Sequence, residues 1–486
     1  MKKIIYSAIF IISSVILSSC DSSPSVNAEI IKIDPENVAH QFENIPIGMN
    51  LNFYIDADKT TKAETPLADA LRKMGVKYLR YPGGDKSDEY FFSYPPYDKA
   101  SPRPARTGKD KSVMRSFFLN EEKTDFRFSP MDFDEFMSIC HVTECEPIIV
   151  VGCDERNNPY PKDGYAATQQ DYLENAVEWV RYANVKNNYG IKYWMIGNES
   201  WHHNVNQYYT LDDYIEDIIL FSDAMKAIDP SIYIIPNIII GENFLEKILT
   251  KAGDKIDMLC ISNYPAQSYA NGYDDWVVKG KNMNNFTKLI GPKIEEFAPA
   301  GKKDMKIIPA EFGPFDFMSG GWGVANDMGH AMCNFEIIGQ QLLDKRIPFS
   351  LYWNTRWSFE VNHEAYNALD NNNNFLPPAH TLAIWTQNIY HQMINAETSS
   401  DMLTVFSSYS PTEKNAYVYV INKAGNDNKI FIDAKGRKVK NVEQVARMTG
   451  SSPDDFNPKV DMDNKKVKNN MVLPPYSINV YKIKLD

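Results

Sequence analysis

Residues Pro147-Ile148-Ile149-Val150-Val151 form an unbroken apolar run. A strand that is apolar on both faces belongs in a parallel sheet covered on both sides, whereas a half-exposed strand would alternate. Outward from this stretch, short apolar segments recur at 46–53, 76–84, 147–154, 191–199, 232–239, 256–265, 305–313 and 347–356. Stretches of helical periodicity follow them, at 66–74, 131–143, 169–186, 211–228, 244–251, 286–297, 328–343 and 381–394. Thr210 before Leu211-Asp212-Asp213, and Ser129-Pro130 before Met131, supply helix starts. Eight strand–helix units predict an α/β fold, a (β/α)8 TIM barrel, rather than an open doubly wound sheet. No glycine-rich dinucleotide fingerprint follows the first strand to argue otherwise.

Past residue 395 the pattern changes. Segments 403–408 and 416–422 read as hairpin strands, 477–485 alternates, and no helix-length periodicity separates them. A small all-β sandwich over 395–486 is therefore expected. Residues 28–45, with a strand-like stretch at 28–34, are expected to complete it, leaving 46–394 to the barrel. The loop 85–130 is long enough to be functional. It carries Tyr90, Phe91, Phe92, Tyr94 and Tyr97 with a basic cluster at Arg103, Arg106, Lys109 and Lys111.

Over 486 residues, 51 Lys+Arg against 63 Asp+Glu leave a net charge of −12. That balance argues against nucleic acid, whose phosphates demand a basic surface. With 43% hydrophobic and 23% charged residues, the chain can bury a large core. The eight His show no ligand spacing, so neither a metal nor another cofactor is predicted. Lys2 and Lys3 followed by a mostly apolar run to Leu17 read as a secretory signal over 1–19, too short to span a membrane. Leu17-Ser18-Ser19-Cys20 resembles the bacterial lipobox, which implies cleavage before Cys20, its lipidation, and a polar tether over 20–27. The expected location is that of an exported bacterial lipoprotein, on the periplasmic or cell-surface side of the outer membrane. The other five cysteines cannot all pair internally, and buried free thiols are expected.

In such a barrel the active site lies at the C-terminal ends of the strands. Two glutamates end strands on facing walls of that bowl: Ile196-Gly197-Asn198-Glu199 on the fourth, and Pro309-Ala310-Glu311-Phe312-Gly313 on the seventh. Either alone would read as a structural salt bridge. Together they suit cleavage of a glycosidic bond, where one carboxyl protonates the leaving oxygen and the other meets the charge developing at the anomeric carbon.

These motifs resemble the clan of retaining glycoside hydrolases with catalytic Glu at barrel strands four and seven. Leu79-Arg80-Tyr81-Pro82-Gly83-Gly84, Trp194-Met195-Ile196-Gly197-Asn198-Glu199 and Ala310-Glu311-Phe312-Gly313 are similar to members near the α-L-arabinofuranosidases, β-xylosidases and agarases. The resemblance runs from Gly48-Met49-Asn50 to the C-terminal sandwich. It implies Glu199 as acid/base, Asn198 as holder of the sugar 2-hydroxyl and Glu311 as nucleophile. It further implies Arg80 and Tyr264 as supports of that nucleophile, and Trp353 as the floor under the sugar. Ser262 departs from it, since relatives often carry a His two residues before that Tyr. The continuation Asp85-Lys86-Ser87-Asp88 is closer to agarase-like relatives.

Physical chemistry supports several of these roles. Arg80 can fork two hydrogen bonds to a carboxylate and keep Glu311 ionised. Asn198 offers a donor and an acceptor to a hydroxyl. Trp201, His202 and His203 follow Glu199 and could line a leaving-group subsite, and Trp322, among glycines, suits an exposed sugar platform. The expected function is double-displacement hydrolysis of O-glycosidic bonds in an extracellular poly- or oligosaccharide. Two alternatives share the barrel: a catalytically inactive glycan-binding surface lipoprotein, and a transglycosylase.

Overall fold

The structure, a computed structural model, describes residues 24–486 except 26, 109–118, 155, 157–162, 202–207, 242, 317–320 and 358–366. The expected signal segment and Cys20 lie outside the described residues.

All eight expected barrel strands form, each shorter than its apolar run: Ile47–Asn50, Tyr78–Tyr81, Glu146–Val151, Tyr193–Ile196, Tyr233–Pro236, Met258–Asn263, Lys306–Phe312 and Ser350–Tyr352. They pair in parallel in the order five-four-three-two-one-eight-seven-six. The two ends of that ladder meet at the bridge Asn237–Cys260, where the Ile238 amide donates to Cys260 O at 2.9 Å. Alternate residues explain why the runs are unbroken. Ile148, Val150, Met195, Ile235, Cys260 and Ile308 pack together in one cluster inside the ring. Their neighbours Ile149, Val151, Trp194, Ile196, Ile234 and Ile307 face the surrounding helices.

The helices follow their caps. Thr210 and Asp213 form a capping box at the start of helix Leu211–Ile228. Helix Phe133–Thr143 starts two residues later than expected, because the Asp132 carboxylate, not Ser129-Pro130, accepts the Glu135 amide at 2.9 Å. The last expected helix is corrected more deeply. It spans Pro377–Gln387, and Gln392–Glu397 is a strand whose Ile394 and Met393 pair with Val38 and His40. A short apolar run reads equally as helix or strand, and here the neighbouring edge decides. This strand straddles the expected boundary at 394/395.

The second sheet has ten strands, antiparallel except where Glu29–Gln41 runs parallel to Asn428–Asp433. Its N-terminal strand extends well past the expected 28–34. In strand Asn415–Asn422, Ala416, Val418 and Val420 enter this domain's own core, while Tyr419 and Ile421 join the core shared with the barrel. Strand Ser477–Leu485 divides in the same way, with Tyr481 and Ile483 on one side and Ile478 and Val480 on the other. The two domains are thus packed through one face of a two-faced sheet.

A buried ion pair crosses that junction. Lys423 Nζ lies 2.7 Å from the Glu336 carboxylate, both side chains 1% exposed, and 4.3 Å from the centre of the Trp276 ring. Burial raises the Glu336 carboxyl above its ordinary value, and the Lys423 charge opposes that rise without cancelling it. Removing one member strands the other in an apolar site. Lys423→Ala is therefore expected to destabilise the protein by about 3–5 kcal/mol, read as a lower denaturant midpoint. A change within experimental error would show that water reaches Glu336.

Candidate active site

Four strands converge on one guanidinium. Arg80, second-last in barrel strand two, is 1% exposed and sits beside Asn50 of strand one in register. One terminal nitrogen donates to Glu311 Oε1 at 3.0 Å and to Asn50 Oδ1 at 2.9 Å. The other donates to Asn198 Oδ1 at 2.6 Å. The expected fork onto Glu311 is thus divided between Glu311 and Asn198. This has a consequence for Asn198. Arg80 offers only donors, so it takes the amide oxygen. Nδ2 of Asn198, buried and without a protein partner among the described residues, is left to donate. With the oxygen engaged by Arg80, the side chain's uncommitted hydrogen-bonding atom is its amide donor, rather than the donor and acceptor expected.

Glu311 is held at both oxygens. Tyr264, just past strand six, donates its phenol to Oε2 at 2.8 Å, opposite the Arg80 contact on Oε1. The carboxylate is thus fixed between a cation and a neutral donor. Below it, Cys260 reports how closely the charges gather. This thiol is pushed up to about 12, chiefly by burial and against the pull of Arg80, with the charges of Glu311 and Glu199 adding to the rise. All five described cysteines outside the leader are buried and unpaired.

Trp353 follows strand eight, is 5% exposed, and receives backbone support from Phe312 O at 3.0 Å. Its ring lies against Gly84. A Cβ built on Gly84 would stand 2.4 Å from Trp353 Cη2 and 2.6 Å from Glu311 Oε1. Only a residue without a side chain leaves that space, so Gly84 lets strand two approach the ring and the carboxylate together. Beside it, Lys86 Nζ lies 4.0 Å from the centre of the Trp357 ring, which is 6.1 Å from that of Trp353.

The remaining candidates divide. Trp201 is half-buried and packs on the barrel core. His202 and His203 lie outside the described residues. Trp322, expected as a free platform, is packed among aromatic neighbours, 4.2 Å from His330, 5.5 Å from Tyr269 and 6.1 Å from Trp276 between ring centres. The strand-two loop buries Tyr90, Phe91 and Phe92, and Phe92 stacks on Trp179 at 5.2 Å. Arg106, expected in a basic cluster, is buried and paired with Glu89. Sequence reasoning assigned no role to Asn50 or Gly84. Asn50 is locked by its own amide donating to Ala310 O at 2.8 Å, a contact across 260 residues with no local signature. Among the described residues no group of three or more His, Cys, Asp and Glu could hold a metal.

A closed parallel barrel with carboxylates at the ends of strands four and seven, and an appended β domain, defines the class. The comparisons with known proteins agree. Residues 70–279 match the family model described as the Alpha-L-arabinofuranosidase 1 domain. Alpha-L-arabinofuranosidase C of Emericella nidulans is 28% identical over 173 residues, covering 34% of this chain and 31% of that protein. The chain therefore spans about a third of the length of the curated relatives it matches. Among solved structures, the α-L-arabinofuranosidase from Thermotoga maritima superposes with a TM-score of 0.70 at 17% identity, over 94% of this chain and all of that one. A Paenibacillus polymyxa xyloglucanase does so with a TM-score of 0.60 at 11% identity, over 95% and 100%. These structural likenesses establish the two-domain fold. The chain is similar to the retaining (β/α)8 glycoside hydrolases near the α-L-arabinofuranosidases.

Proposed function

We propose that the protein is a retaining glycoside hydrolase whose substrates carry α-L-arabinofuranosyl or closely related units. The observation that carries this reading is the clamp on Glu311. A nucleophile must be oriented toward the anomeric carbon, and Arg80 at 3.0 Å with Tyr264 at 2.8 Å fixes both oxygens of this carboxylate. The Arg80 charge favours the form that attacks. Glu199, at the end of strand four, then protonates the leaving oxygen and afterwards activates water. The Asn198 amide donates to the sugar hydroxyl next to the anomeric carbon, and Trp353 supplies the floor. The sugar class comes from the names of the relatives, not from any contact in the bowl.

The reading is tested by incubating the protein with aryl α-L-arabinofuranosides, β-xylosides and a panel of plant and algal polysaccharides. The product anomer is followed by NMR from the first turnovers. Retained configuration is expected, and a first-formed inverted product would remove Glu311 from the nucleophile's role. On the best aryl substrate, Gly84→Ala should lower kcat/KM by on the order of 10²-fold, because about 1 Å of misplacement at the reacting carboxylate costs that much. Circular dichroism should show the fold retained, and near-normal kinetics would mean that Trp353 and Glu311 can shift without harm.

We also propose that Cys20 carries a lipid that anchors the protein outside the cytoplasm. No helix among the described residues is long and apolar enough to cross a membrane. Cys20→Ser should move the protein from the membrane fraction to the soluble fraction with its activity intact. Unchanged membrane association would refute the anchor.

A further inference from the structure

The turn that carries Glu199 is unusual in its backbone. Gly197 has φ 68° and Glu199 has φ 48°, so two of three successive residues are left-handed. Gly197 suits this, and a Cβ there would also meet Ser200 Oγ at 2.2 Å. Glu199 does not, because a glutamate rarely adopts this region unless its surroundings impose it. Hydrogen bonds that hold this turn come from the neighbouring strand and helix.

Asn237 follows strand five and is 5% exposed. Its carboxamide brackets the turn at both ends. Oδ1 accepts the Ser200 amide at 2.8 Å, and Nδ2 donates to Ile196 O at 3.1 Å. Nδ2 also lies 3.1 Å from Ser200 Oγ and 2.8 Å from the phenol of Tyr214. Tyr214, fully buried on helix Leu211–Ile228, donates to Ile196 O at 2.8 Å and accepts the Asn237 amide at 2.8 Å. One amide and one phenol thus close a ring of hydrogen bonds around residues 196–200. Asn198 in the same turn has a second anchor in Arg80 at 2.6 Å.

We propose that Asn237 and Tyr214 are positioning residues for the Glu199 carboxyl, and that they set where its proton is delivered. The proposal rests on the reading of Glu199 as general acid. A general acid works only within hydrogen-bond reach of the leaving oxygen. If the bracket is lost, Glu199 relaxes from its left-handed backbone and its carboxyl leaves that position. Arg80 keeps Asn198, and Arg80 with Tyr264 keeps Glu311, so the nucleophilic half of the site stays assembled. The defect should therefore be confined to proton delivery, which depends on the leaving group.

The test measures kcat/KM against leaving-group acidity for the intact protein, Asn237→Ala, Tyr214→Phe and, as reference, Glu199→Ala. Tyr214→Phe keeps the shape of a fully buried ring, so it serves if Asn237→Ala does not fold. Glycosides with alcohol leaving groups should lose roughly 10–10²-fold in Asn237→Ala, as expected of a displaced catalytic group. Dinitrophenyl glycosides, which need no proton, should change by less than about threefold. Tyr214→Phe should show the same selective pattern with a smaller loss. A loss equal for all leaving groups, or no loss in a folded variant, overturns the positioning role and leaves Glu199 untouched. If Glu199→Ala is itself insensitive to the leaving group, the reading of Glu199 fails, and the positioning proposal fails with it.

Discussion

Glu311→Ala is expected to abolish hydrolysis of every glycoside, activated or not, by on the order of 10⁴-fold or more, because no glycosyl-enzyme can form without the nucleophile. The loss should not depend on the leaving group, which distinguishes it from loss of an acid. Azide can enter the vacated space and attack directly, giving a glycosyl azide of inverted configuration, identified by NMR. The substitution also leaves Arg80, 1% exposed, without its carboxylate. Glu311→Gln is therefore the companion variant, since its amide oxygen can still accept from Arg80 and Tyr264 still has a polar neighbour. Equal loss in both variants assigns the effect to the missing nucleophile. If Glu311→Gln keeps full activity with retained product, the carboxylate is not the nucleophile and the mechanism proposed above is wrong.

Glu199→Ala should behave in the opposite way. Substrates with poor leaving groups should slow by about 10²–10⁴-fold, the usual worth of a positioned acid. Dinitrophenyl glycosides should still glycosylate Glu311 at a rate near normal. The intermediate should then accumulate, because water lacks its base, and mass spectrometry of the stopped reaction should find the sugar on the Glu311 peptide. Azide should accelerate turnover and give a product of retained configuration, because it attacks the intermediate without needing a base. An inverted azide product from this variant would exchange the roles assigned to the two glutamates.

Most of the architecture was readable in the linear pattern. Continuous apolar runs such as Pro147–Val151 announce strands buried on both faces, and the ring fills both sides as that predicts. The reading failed where local signals compete. Residues 392–394 fit the tail of a helix as well as a strand, and only the partner edge at Val38–Gln41 decides for the strand. At the N-terminus of helix Phe133–Thr143, Ser129-Pro130 was the expected start, but it is the Asp132 carboxylate that reaches the open Glu135 amide. Trp322, expected as an exposed platform, is half-buried, with its ring packed beside Tyr269, Trp276 and His330, contacts that its glycine-rich surroundings in the chain do not announce.

The amino-acid order by itself determined the eight-unit barrel, the appended β domain, and two glutamates at strand ends. Each of these follows from a short-range period or from the rule that a barrel strand opens into the bowl at its C-terminal end. Only the tertiary structure decided how those glutamates are held. Arg80 meets Glu311 across 231 residues and Asn198 across 118, and Tyr264 meets Glu311 across 47. The division of the Arg80 fork, the Asn237 bracket under Glu199, and the room that Gly84 leaves for Trp353 all arise where separate strands close into a ring. Hydrogen-bond geometry and van der Waals contact act over a few ångströms in space, so no spacing along the chain carries them.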